Sequence, residues 1–188
     1  MLENFNNIYK KTGISVPASL EIINQYQSKV PELLIKLWEE NGFGKYNNGI
    51  IELVNPKDFE SVLWTWLGRE VENYVPFAIS GFGELFYYRK LTDTDEDVCM
   101  VDIQYRNVET FTWSLESFFE DFLTNETDRQ TWLREELFIL ATELFEDLTI
   151  HEIFTISPAL AMGGAAELGC LQKGNAQVYQ EIIFQMTS

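Results

Sequence analysis

The chain has 188 residues, 46% of them apolar and 14% aromatic, and its 30 acids against 13 bases give a formal net charge of −17. That composition excludes a disordered polymer, because there is ample apolar mass for a core, and it excludes a nucleic-acid binder, because the field repels phosphate. No apolar run approaches the ~20 residues that cross a bilayer, and the N-terminal residues form neither a basic nor an apolar leader, so a cytoplasmic address is the expectation. Cys99 and Cys170 stand far apart in no metal-type spacing and are expected to be reduced, buried thiols.

In chain order, Leu20, Ile23 and Tyr26 recur at near-helical spacing after Pro17, and Pro31 then opens a second helix through Glu40 that stops at Asn41-Gly42. Its expected inner face is Leu33, Leu34, Leu37 and Trp38. The run from Gly42 to Gly49 reads as turn, Ile50 to Val54 as a short strand, and Asn55-Pro56 as the start of a helix carrying Phe59, Val62, Leu63 and Trp66. Pro76 to Tyr88 reads as one or two strands broken at Gly81-Phe82-Gly83, and Val98 to Phe111 as further strand, with a polar tip at Asp93 to Asp97. Strands joined this closely pair antiparallel. Ser114 opens a helix with Phe118, Phe119 and Phe122 inside. A single longer helix is expected from Thr127 to Asp147, with Trp132, Leu133, Leu137, Leu140, Ala141 and Leu144 inward and an outer face of glutamates. An extended piece at Glu152–Ile156, a turn at Met162-Gly163-Gly164, a strand near Leu168–Gln172 and a helix from about Asn175 complete the chain. The fold class expected is α+β: a mostly antiparallel sheet flanked by helices over residues 1–125, and a smaller helix-led C-terminal subdomain over 126–188.

The charge is concentrated. Residues 84–152 hold 18 acids and 5 bases, a net of −13, while the segments before and after carry −3 and −1. Such a field steers a basic partner toward it. The signatures of catalysis fail one by one. His151 is the single histidine, and the serine at Ala78-Ile79-Ser80-Gly81-Phe82 lacks the first glycine of a nucleophile elbow. His151-Glu152 opens like a zinc-protease helix, but Thr155 stands where the second histidine ligand belongs. Asp93-x-Asp95-x-Asp97 resembles half a calcium loop, yet Val98 and Gln104 replace its required Gly and Glu. No phosphate-cradling glycine motif is present. Neither a metal nor a cofactor is therefore expected, and the chain reads as a binding protein; an enzyme using carboxylates in a cleft between two lobes is the lesser alternative.

Several local patterns occur in a telling order: Val30-Pro31-Glu32-Leu33-Leu34, Leu37-Trp38-Glu39-Glu40-Asn41-Gly42-Phe43-Gly44, Asn48-Gly49-Ile50-Ile51-Glu52-Leu53-Val54-Asn55-Pro56, Val75-Pro76-Phe77-Ala78-Ile79-Ser80-Gly81-Phe82-Gly83-Glu84-Leu85 and Ser157-Pro158-Ala159-Leu160-Ala161-Met162-Gly163-Gly164. Together they resemble the bacterial immunity proteins that join an N-terminal GAD-like domain to a small C-terminal domain and guard against nuclease toxins delivered by type VI secretion. The Trp-Glu-Glu-Asn-Gly stretch also suits the SMI1/KNR4-like superfamily, whose acidic regulatory or scaffold proteins are the alternative reading. The resemblance implies a basic toxin as partner, with no direct contact to nucleic acid or membrane, and no catalytic residue to carry over.

Aromatic residues interleave with the acids. Some of Trp64, Trp66, Tyr74, Phe86, Tyr87, Tyr88 and Trp113 must be core, whereas those at loops or strand ends suit anchors inside an anionic rim. The expected contact residues are Glu84, Asp93, Asp95, Glu96, Asp97, Asp102, Trp64 and Tyr88.

Overall fold

The computed structural model describes residues 2–187. Its first half contains α1 (Glu3–Ile8), β1 (Lys11–Val16), α2 (Leu20–Tyr26), α3 (Glu32–Asn41), β2 (Phe43–Tyr46), β3 (Ile51–Leu53) and α4 (Pro56–Leu67). The strands β4 (Tyr74–Ser80), β5 (Leu85–Lys90), β6 (Glu96–Asp102) and β7 (Asn107–Thr112) follow as a meander. Next come a short α5 (Leu115–Ser117) that runs into a π turn at Phe118–Phe122, then α6 (Glu126–Trp132), α7 (Glu135–Leu144), β8 (Glu152–Ile156), β9 (Leu171–Asn175) and α8 (Ala176–Thr187). The seven strands β1 to β7 form one antiparallel sheet in sequence order, and β8 pairs with β9 in a separate two-stranded sheet. The α+β architecture with a smaller C-terminal region is as the sequence predicts.

Local chemistry explains the boundaries that were foreseen. Asn55 caps α4 by accepting from the Lys57 amide at 3.2 Å, Pro56 occupies the first helical position where a missing N–H does no harm, and Gly68 closes the helix in the left-handed region. In α3 the buried face is Leu34, Ile35, Leu37 and Trp38, with Leu33 only half-buried, a one-position rotation from the expected stripe. Leu20 is exposed, and α2 buries Ile22, Ile23 and Tyr26 instead. The stretch read as turn between Gly42 and Gly49 contains β2, which is buried along its whole length.

Alternation along the strands sorts the core onto the two faces of the sheet. Phe77, Phe86, Met100 and Tyr88 join Phe118, Phe119, Phe122, Leu34 and Trp38 on one side; Ile79, Leu85, Tyr87, Cys99 and Val101 meet Phe59, Val62 and Leu63 of α4 on the other. The aromatic stack on the first side is continuous, with Phe77–Phe118, Phe86–Phe118 and Phe5–Phe119 centroids 5.2, 5.0 and 5.0 Å apart. Each such side chain contributes roughly 1.5–3 kcal/mol on burial.

The single helix expected over Thr127–Asp147 is two helices. Arg134 takes a left-handed backbone (φ 49°) between α6 and α7, and its guanidinium turns inward to Glu84. The break rotates α7, so Phe138 and Ala141 point inward while Leu140 and Leu144 face solvent. Residues 80–84, the tight β4–β5 turn, are where the C-terminal region attaches. The Phe154 amide donates to Gly81 O at 2.8 Å, and the Gln180 and Gln104 side-chain amides donate to Gly83 O and Phe82 O at 2.8 and 3.1 Å. Gly81 must be glycine here because an added Cβ would sit 2.2 Å from the Phe138 ring, and Gly83 adopts φ +94° with Ile153 and Ile103 pressed against it. A second attachment lies at β2 and β3. Buried Lys45 reaches Glu52 at 2.5 Å and Glu152 O at 2.8 Å, and Glu52 in turn accepts the His151 amide at 3.0 Å.

Candidate functional site

The eight residues singled out from the sequence separate into two groups. Glu84, Asp97, Asp102 and Tyr88 lie beneath the surface with internal partners, which corrects the expectation that they face a ligand. Glu84, 1% exposed, accepts from Arg134 at 2.6 Å and from the Ser80 hydroxyl. Asp97 holds Arg89 in a two-point fork, Nε to Oδ1 at 2.7 Å and Nη2 to Oδ2 at 2.5 Å. Asp102 accepts the amides of Gln104 and Tyr105 through one oxygen, at 2.9 and 3.1 Å, closing the β6–β7 turn. Burial and then the nearby Glu84 charge push its carboxyl up to about 6. All three are held by partners inside, Glu84 and Asp97 by an arginine each and Asp102 by two turn amides that only partly offset its burial, so acid content alone does not mark surface.

Glu96 is half-buried and structural, taking the Tyr88 hydroxyl at 2.8 Å and the Leu115 amide at 3.0 Å, which ties β6 to the start of α5. Asp93 and Asp95 sit exposed on the β5–β6 tip, where Asp95 accepts from the Thr92 hydroxyl at 2.8 Å and Asp93 lies 3.4 Å from Lys90. Trp64 is half-buried on α4 with its indole N–H unpaired.

An open groove of about 410 Å³ lies along the edge strand β7, between it and the π turn and α6. Its floor is aromatic: Phe111 meets Phe122 at 5.0 Å and Trp132 at 4.8 Å, both edge to face. Its rim carries Glu109, Asp121 and Asp128 and no cation, and Trp113 stands at one end, 79% exposed. Because Thr112 pairs with Val98 at the start of β6, Trp113 lies at the same end of the sheet as the Asp93–Asp95 tip. Of these residues the sequence singles out only Trp113 as a possible anchor, with Phe122 and Trp132 read as core. The signal that could have found the rest is that residues 107–128 contain six acids (Glu109, Glu116, Glu120, Asp121, Glu126, Asp128) and no base.

The arrangement suits recognition of cations. Aromatic faces and carboxylates attract ammonium and guanidinium groups, and low-dielectric walls strengthen both attractions. A second pocket of about 220 Å³ includes His151 and Asp58, whose Nε2 and Oδ2 are 4.0 Å apart, and its Ser19 hydroxyl already caps α2 through the Ile22 amide at 3.3 Å. That pocket assembles no nucleophile with a hydrogen-bonded base. Among the described residues no group of three or more His, Cys, Asp or Glu could hold a metal ion, and no helix is long and apolar enough to cross a membrane.

The fold has a solved counterpart. The crystal structure of Atu4351 from Agrobacterium tumefaciens superposes with a TM-score of 0.75 over 98% of this chain and 89% of that one, at 16% sequence identity. No curated protein matches the sequence. Residues 1–101 match the GAD-like domain family, and residues 112–187 match the C-terminal domain family of the T6SS immunity protein Tdi1. The chain therefore belongs to the GAD-like domain family and carries, behind that domain, a Tdi1-type immunity domain of the type VI secretion system.

Proposed function

We propose that the chain binds a basic nuclease toxin of the type VI secretion system, a DNase by its chemistry, in the cytoplasm and silences it without catalysis. The observation that carries this reading is the Tdi1-type domain over residues 112–187, since an immunity domain implies a cognate toxin. Electrostatics supports the nuclease identity: an enzyme that grips phosphates presents a positive cleft, and residues 84–152 offer a net −13 to it. In this reading residues 1–125 supply the sheet, the Asp93–Asp95 tip and one wall of the β7 groove, and residues 126–188 supply Asp128 and Trp132 of the other wall. Attraction between opposite fields sets the on-rate, and seated aromatics set the off-rate.

The test is co-expression with each candidate type VI secretion nuclease of the same genome, followed by plasmid-cleavage and surface-binding measurements. The intact chain should abolish cleavage, and association should slow steeply as salt rises. Replacing Asp93, Asp95, Asp121 and Asp128 by Asn should lower the association rate at least tenfold and flatten its salt dependence. Full cleavage in the presence of stoichiometric, folded chain would refute the reading.

A further inference from the structure

We infer that the β7 groove takes an extended, lysine- or arginine-bearing segment of the partner protein as an eighth strand of the sheet. The inference deepens the toxin-binding reading and rests on it for the identity of the partner, but its physical basis is separate. β7 is paired on one side only, with β6, so every second residue directs its backbone N–H and C=O away from the sheet. Which residues these are follows from one hydrogen bond: the Val108 amide is taken by the Asn107 side chain at 2.8 Å and is thus unused by β6. Alternation turns Thr110 outward as well, so the groove side offers the Thr110 N–H and the carbonyls of both residues, while the Val108 N–H becomes available to an added strand once the Asn107 side chain swings aside.

Side chains then select what can add. An incoming strand lies about 4.8 Å beyond β7, and its alternate side chains on the helical face fall over the groove. That is the face on which Glu109 and Phe111 stand, opposite Met100 and near Phe122 and Trp132. A basic side chain there meets Glu109, Asp121 and Asp128 across an aromatic floor, whereas an acidic one meets three like charges. The other edge of the sheet is a poorer acceptor for such a segment. β1 begins at Lys11, directly after Lys10, its register shifts between Thr12 and Val16, and Gly13 takes φ +67° within it. Natural edge strands are often guarded by lysine or proline; Asn107–Thr112 contains neither.

The experiment uses the full chain, isotope-labelled, and two synthetic peptides: an alternating valine–lysine octamer that readily extends, and a proline–lysine octamer of equal charge that cannot donate to a ladder. The valine–lysine peptide should shift the amide resonances of residues 107–113 and the indole signals of Trp113 and Trp132, and should bind at least tenfold more tightly than the proline–lysine peptide. Val108→Pro removes the outward donor that the Asn107 side chain holds in the free chain and that an added strand would take over, at a position where β6 takes none, and Trp113→Ala removes an exposed ring; each should weaken the valine–lysine peptide several-fold while thermal unfolding stays near that of the parent. Equal affinity for the two peptides, or shifts spread over the Asp93–Asp95 tip in place of β7, would overturn the strand-addition inference, as would a folded Val108→Pro chain with unchanged affinity. Failure of the intact chain to capture any of the genome's type VI secretion nucleases would instead sink the toxin-binding reading, and the peptide result would still decide how the edge is used.

Discussion

Removing the Arg134 guanidinium tests the central claim about how the C-terminal region is fixed to the sheet. Arg134→Met keeps much of the side chain's length, so the loss is chiefly of charge and hydrogen bonds. Glu84 would be left 1% exposed with only the Ser80 hydroxyl as partner, while Asp102, another carboxylate that Arg134 tempers, remains nearby. Deleting one member of a buried pair typically destabilises by about 3–5 kcal/mol, because the desolvated partner is stranded. At an unfolding entropy of about 2.1 cal/mol/K per residue, a chain of this length should lose roughly 8–13 °C in melting temperature. The double variant Glu84→Gln/Arg134→Met should recover at least half of that, since the amide still accepts from Ser80 and no charge is stranded. Urea unfolding of parent, both singles and the double gives the coupling directly. A loss below about 1 kcal/mol for Arg134→Met, or strict additivity in the cycle, would refute the reasoning, because either result means that the pair does not depend on its partner.

Three further outcomes follow from features of the core. Asp102→Asn keeps the oxygen that accepts the Gln104 and Tyr105 amides but removes the charge. The folded carboxyl titrates near 6, above its ordinary value of 3.8, so the native state binds the extra proton and the parent loses stability as pH rises from about 4 through 6. The variant's advantage should therefore grow over that window to on the order of 1–2 kcal/mol, read from melting curves at pH 4.5 and 7; an advantage independent of pH would show that the charge is not the cause. Gly81→Ala drives a methyl into the Phe138 ring and should destabilise by about 1–3 kcal/mol in urea titration. Native protein should expose one thiol to a chromogenic disulfide reagent, half-exposed Cys170, and two after denaturation, because Cys99 is buried and burial pushes its thiol up.

Elements whose signals are local were legible in the sequence. The Asn55-Pro56 start of α4, the Gly81-Phe82-Gly83 turn and the alternating apolar residues of β4 to β6 all declare themselves within a dozen positions. β1 and β2 did not, because Gly13, Gly42 and Gly44 mimic turn composition while the strands owe their existence to pairing with one another. The break at Arg134 was hidden for a related reason: helical periodicity runs through it, and the partner that pulls the residue out of the helix lies 50 positions earlier. The same blindness affected the acids. Composition treats Glu84, Asp97 and Asp102 as surface, and only the structure reveals Arg134, Arg89 and the turn amides that hold them inside. Asp93 and Asp95, which have no buried partner, are where the sequence put them.

The π turn at Phe118–Phe122, closed by the Leu123 amide on Phe118 O at 3.0 Å, works as a spacer. Such a turn carries one residue more than an α-helical turn would. Excising Glu120 or Asp121 would let this turn close as an ordinary α-helical one, drawing α6, with Asp128 and Trp132, back by about the 1.5 Å rise of one residue. A one-codon deletion or insertion at this spot is consequently a lever by which descendants of this chain can widen or narrow the space beside β7 in a single step, leaving the seven-stranded scaffold untouched.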